Sequence, residues 1–100
     1  MTQIISTKEQ LNLETAEVFW PEIQVFFAQG KLLVVDAQLD LVEVATLIAD
    51  NQVNQLKNLI ENNNVSFVSA EWVKKHCTDT TLLWAVVVAP YVLTQLIEND

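Results

Sequence analysis

Eight consecutive apolar residues, Leu82-Leu83-Trp84-Ala85-Val86-Val87-Val88-Ala89, run directly into Pro90. No other segment restricts the fold as much. The run is far shorter than the ~18–20 residues a membrane-spanning helix needs. It is rich in valine and offers no polar side chain to water, which predicts a central strand covered on both faces. Pro90 fits the first turn of a helix, so a short C-terminal helix is expected from there to about Ile97.

The rest of the chain reads as helices punctuated by caps and by one glycine. Ser6 and Glu9 form a capping box that opens a first helix, expected to reach about Phe19. Pro21 pushes Trp20 out of helical geometry and starts a second helix over Pro21 to about Gln29, which Gly30 stops. Lys31 to Asp36 form a first strand, with Leu32, Leu33, Val34 and Val35 continuous and partly β-branched. Asp40 and Glu43 make a second capping box, for a helix that is apolar nearly all round. Asp50-Asn51 breaks it. A following helix carries Val53, Leu56, Leu59 and Ile60 on one side and Gln52, Asn54, Gln55 and Asn58 on the other. Asn62-Asn63-Asn64 ends it, since asparagine tolerates left-handed geometry. Val65 to Val68 is a second strand, Ser69 caps a helix over about Ala70–Cys77, and Thr78–Thr81 is a loop.

This order predicts a single α+β domain over residues 1–100. The expected form is a small three-stranded sheet beside a helix-turn-helix-like pair and further helices, a winged-helix-like plan. The alternative is an α/β arrangement with parallel crossovers. The thirteen residues between the second and third strands are just enough for one such crossover.

Charge bounds the partners. Thirteen acidic residues face five basic ones, a net charge of −8. Nucleic acid and anionic membrane would repel such a chain, so neither is expected as a partner. A protein with a basic surface would be attracted. The N-terminus lacks the basic-then-apolar pattern of a signal peptide, and Cys77 has no second cysteine with which to form an intrachain disulfide. A reduced cytoplasmic setting is expected.

Few residues carry chemistry. The single glycine rules out a Gly-rich phosphate loop, and no cofactor is expected. Lys74-Lys75-His76-Cys77 holds the only histidine and cysteine. A neighbouring cation can activate a thiol, but adjacent helical residues point apart, and zinc needs three or four ligands. The cluster reads as a helix C-terminus favoured by the macrodipole, with Glu71 and Lys75 as a surface pair. No catalytic or metal-binding residue is assigned. Glu14, Glu17, Glu22, Asp36, Asp40 and Glu43 are read as caps, strand ends and solvated faces. In the helix pair over Asp40–Asn62, Asn54, Gln55 and Asn58 could pair with adenine. The turn is short, however, and Lys57 is that helix's one basic residue.

Aromatic residues stand out. Tryptophan and tyrosine are enriched at interface hot spots, and Trp20, Trp84 and Tyr91 are the candidate interaction residues. A helix apolar all round and a strand apolar on both faces both need cover. A second copy could supply it, so a non-enzymatic protein-interaction module, homodimeric in solution, is the leading expectation. A DNA-binding regulator and a small enzyme are the alternatives.

Two segments resemble a known family: Leu39-Asp40-Leu41-Val42-Glu43-Val44-Ala45 and Leu83-Trp84-Ala85-Val86-Val87-Val88-Ala89-Pro90-Tyr91-Val92-Leu93. They are similar to bacterial proteins of roughly a hundred residues, common in proteobacteria and cyanobacteria, classed as a domain of unknown function. The second segment is the more specific, because a generic buried strand need not run into Ala-Pro-aromatic. The resemblance covers nearly the whole chain and implies a bacterial cytoplasmic protein. It brings no activity, cofactor or catalytic residue.

Overall fold

The computed structural model describes residues 7–97. The Ser6 cap lies outside them. Five helices and five strands follow one another as α1 (Thr7–Glu14), β1 (Ala16–Phe19), α2 (Trp20–Ala28), β2 (Leu32–Val35), α3 (Leu41–Ala49), α4 (Val53–Glu61), β3 (Val65–Phe67), α5 (Ala70–His76), β4 (Leu82–Val88) and β5 (Tyr91–Leu96).

The local signals act as expected at most boundaries. Asp40 Oδ1 accepts from the N–H groups of Val42 at 2.9 Å and Glu43 at 3.3 Å. Ser69 Oγ accepts from Trp72 N–H at 3.1 Å. Each satisfies donors that a helix start leaves unpaired. Gly30 follows α2 at φ 72°, in the left-handed region that suits glycine. Asn51 and Asn63 take φ 56° and φ 61° after α3 and α4, where asparagine costs less than most side chains.

The five strands form one sheet in the order β1-β4-β5-β2-β3. β4 pairs antiparallel with β1 and with β5, β3 pairs antiparallel with β2, and β2 pairs parallel with β5. Several expectations are corrected here. The sheet has five strands, not three. It is mixed, so the all-antiparallel winged-helix-like plan does not describe it, and the parallel pair is β2–β5, not the pair expected around the thirteen-residue crossover. The segment after Pro90 is a strand and not a helix. Tyr91, Val92 and Thr94 favour strand geometry, and Ala89-Pro90 is the turn between β4 and β5. The first helix likewise ends at Glu14. Thr15 closes it, both its N–H and its hydroxyl bonding the Leu11 carbonyl at 3.0 and 2.7 Å. Residues Ala16–Phe19 then pair with Phe19 opposite Leu82 and Ala16 opposite Ala85. Tertiary pairing overrides a weak helical pattern there.

Period-two alternation divides the side chains between two cores. On one sheet face Leu33, Val35, Val65, Val86, Val88 and Leu93 pack with Leu11 of α1 and with Leu41, Val42, Val44 and Ala45 of α3. Leu56 and Leu59 of α4 close over the same cluster. On the other face Leu32, Leu83, Ala85 and Val92 pack with Trp20 and Ile23 of α2 and with Trp72 and Val73 of α5. The cover that α3 and β4 were expected to take from a second copy thus comes from within the chain. Thr94 sits buried in the sheet, its hydroxyl donating to the Trp84 carbonyl at 2.9 Å.

The register makes a sharp prediction. Leu93 is fully buried on the central strand, whereas Val87 is 58% exposed on β4. Leu93→Ala is expected to cost about 2–5 kcal/mol in urea unfolding, and Val87→Ala within about 0.5 kcal/mol. Equal losses at the two positions would contradict the pairing.

Candidate functional site

Because β2 and β5 run parallel, their carboxyl ends lie side by side, the place where sheets of this kind open for ligands. The loop Asp36–Asp40 leaves that end. Asp36 Oδ1 accepts from Gln38 N–H at 3.1 Å, and Leu39 N–H returns to the Asp36 carbonyl at 3.0 Å. Gln95 reaches across from β5. Its Nε2 donates to the carbonyls of Asp36 at 2.8 Å and Leu39 at 2.7 Å. A single buried amide therefore ties the loop to the neighbouring strand.

Above this loop α1, α3 and α4 enclose a groove. Its main cavity, about 440 Å³, has an apolar floor of Leu39, Val44, Leu47 and Leu59 and a rim of Lys8 and Glu43. Two smaller cavities of about 390 and 260 Å³ adjoin it, and all three share Asp40. The last reaches Trp84 and Gln95. Lys8 Nζ lies 3.2 Å from Glu43 Oε1, joining α1 to α3. Both partners are well exposed, so the pair contributes little, roughly 1 kcal/mol at most. The pairing also directs Glu43 away from the capping-box role expected of it. Three carboxylates, Glu9, Asp40 and Glu43, stand around one ammonium. An apolar floor with a net negative rim suits the binding of an apolar, cationic group.

The candidate interaction residues separate. Trp20 is 4% exposed and lies 5.9 Å, ring to ring, from Phe27. It fills the core under α2, so the expectation that it meets a partner is corrected: its face of α2 is turned to the sheet. Trp84 is half-buried at the end of the groove. Tyr91 is half-buried on the same sheet face and meets Phe67 edge-on at 6.2 Å. Phe67, on the edge strand β3, is 56% exposed. Nearby, α4 buries no residue fully. Leu59 turns toward the groove and Leu56 toward the core, which leaves Val53 at 67% and Ile60 at 44% exposure. Val53, Leu56 and Ile60 share one helix face by their spacing. This α4–β3 flank is largely apolar, with Lys57 set between Val53 and Ile60 by the same spacing.

The other chemistry-bearing residues lie apart from both places. Cys77 is half-buried beside the α2–α5 core, and burial pushes its thiol up from the ordinary value. His76 instead rests against Trp72 at 5.0 Å. Glu71 and Lys75 do not close into the expected ion pair; the one found among the described residues is Lys8–Glu43. No cluster of three or more His, Cys, Asp or Glu suited to a metal occurs among the described residues. None of their helices is long and apolar enough to cross a membrane. Sequence reasoning missed Gln95 and Phe67. A glutamine following an otherwise apolar run was the available signal for the first.

A family model described as "Protein of unknown function (DUF2288)" matches residues 6–96. Among solved structures, the NMR solution structure of PA1075 from Pseudomonas aeruginosa is similar to this chain, with 41% identity and a TM-score of 0.81. The likeness covers 99% of this chain and 93% of that one. No curated protein matches.

Two measurements check the site. Gln95→Ala should lower unfolding free energy by about 1–3 kcal/mol, because it strips the Leu39 carbonyl of its Gln95 donor and leaves the Asp36 carbonyl with Leu39 N–H alone. It should also speed amide exchange over residues 36–40; unchanged exchange there would mean that the loop holds itself. Cys77, with its thiolate disfavoured by burial, should react with a disulfide reagent at mildly alkaline pH more slowly in the folded protein than in urea. Equal rates would contradict that placement.

Proposed function

The chain belongs to this family of unknown function, and we propose, on the geometry of its surface, that it is a non-enzymatic protein-interaction module that self-associates through the α4–β3 flank. One observation carries the reading. α4 presents an apolar stripe of which no residue is fully buried, and it shares a sheet face with Phe67 and Tyr91. Exposed aromatic and aliphatic residues grouped in this way suit an interface.

The occupant follows from charge. A chain of net charge −8 repels a second copy wherever carboxylates face each other. It can approach itself most closely over a surface of Val53, Ile60, Phe67 and Tyr91. β3 has only three residues and no neighbour on its outer side within the sheet. A two-fold pairing there covers a short edge as well as an apolar face. A reduced cytoplasm suits a chain with a lone half-buried thiol.

The rival readings have less support. The α3–α4 turn spans Asp50–Gln52, a length compatible with a DNA-reading pair. Yet α4 carries a single basic residue, Lys57, and its Gln55 faces the groove. A thiol enzyme is disfavoured by the burial that raises Cys77.

Light scattering from micromolar to millimolar protein should show mass rising from one chain to two. Ile60→Asp and Phe67→Asp should each weaken the association by about tenfold or more, ~1.4 kcal/mol, without loss of fold by circular dichroism. A mass that stays at one chain over the whole range would sink the self-association reading.

A further inference from the structure

We propose that the groove between α1, α3 and α4 is the docking site for a basic amphipathic helix of a partner protein. The inference rests on the interaction-module reading but uses a different surface from the α4–β3 flank.

Three features point to that occupant. The floor of Leu39, Val44, Leu47 and Leu59 is apolar and lies in a cavity of about 440 Å³. It has room for the apolar side chains that a helix presents at i, i+3 and i+4 when it lies in a groove. The rim is acidic. Asp40 uses one carboxylate oxygen, Oδ1, to cap α3. Glu43 holds Lys8 only through an exposed pair at 3.2 Å. An incoming arginine can pair with the Glu43 carboxylate in two-pronged geometry, which an ammonium cannot match. Lys8 then swings into solvent at little cost. Finally, the whole chain's field favours cationic partners. A second copy is a poor fit: its one basic run, Lys74-Lys75-His76, closes the seven-residue helix α5.

The α3 side of the groove is held rigid from below. Gln95 fixes the carbonyls of Asp36 and Leu39, so the loop that carries Asp40 does not need to be ordered on binding. Little conformational entropy is then lost by this chain when the partner arrives.

The test uses a synthetic helical peptide of leucine and arginine, and a control in which glutamate replaces each arginine. The ¹⁵N-labelled protein is titrated with each and followed by NMR. Shifts confined to residues 39–47, 55–59 and the α1 residues around Lys8 are expected for the arginine peptide, with binding that weakens as salt rises. Glu43→Lys should reduce that affinity by about tenfold or more. Leu47→Ser should reduce it with the rim charges intact. Ile60→Ser, which adds no charge, should leave it unchanged. The proposal is overturned by absent binding, by equal binding of the glutamate peptide, or by shifts centred on Phe67 and Ile60 or scattered over every acidic face. An affinity indifferent to Glu43→Lys also overturns it. A monomer whose groove binds the peptide would dismiss self-association and keep the groove. A dimer whose groove stays silent would do the reverse.

Discussion

The parallel pairing of β2 with β5 is the contact on which the rest of the molecule depends. Without it the sheet divides into two pieces, the β1–β4–β5 set and the β2–β3 set. Leu33 and Leu93, partners across this pair, stand sixty positions apart in the sequence. Side chains on either side of β5 enter different cores, Leu93 the α1–α3–α4 side and Val92 the α2–α5 side. The strand therefore couples both cores to each other. Being parallel, it also delivers Gln95 to the exit of β2, where an antiparallel partner would have placed its opposite end.

The groove is a consequence of that geometry. Its floor is held by packing on the sheet, and its loop by one buried amide from β5. Hydrophobic burial sets the scaffold, while a few directed hydrogen bonds set the positions at its mouth. The charges are arranged differently: the acids lie on the surface, where each is weak alone but they add to one field. Stability and recognition are thereby separated. The groups that carry the field contribute little to holding the fold.

Where local chemistry decides the structure, it was legible in the residues. Asp40, Ser69, Gly30 and the asparagine run mark helix ends because their own side chains or φ angles do the work. The burial of the 82–88 run on most of its positions followed from composition alone. Long-range pairing decided the rest. Val18 and Phe19 fit a helix pattern as well as a strand, and only β4 beside them settles the matter. Pro90 reads equally as a helix opener or a turn residue. Of the candidate interaction residues, Trp20 shows why residue type is a weak guide: the chemistry that suits an interface also suits a core. Gln95 was hidden because its partners are backbone carbonyls fifty-odd positions upstream.

The middle strand of the sheet is also the last one described along the chain. On a ribosome every other described element emerges before it. Until Tyr91–Leu96 is available, β4 and β2 each offer a bare apolar edge, the kind of surface on which chains stick to one another or are seized by chaperones and proteases. A chain cut before Tyr91 therefore lacks the keystone of its sheet and not an outer course. The order of synthesis thus leaves the sheet open at its centre until its middle strand arrives.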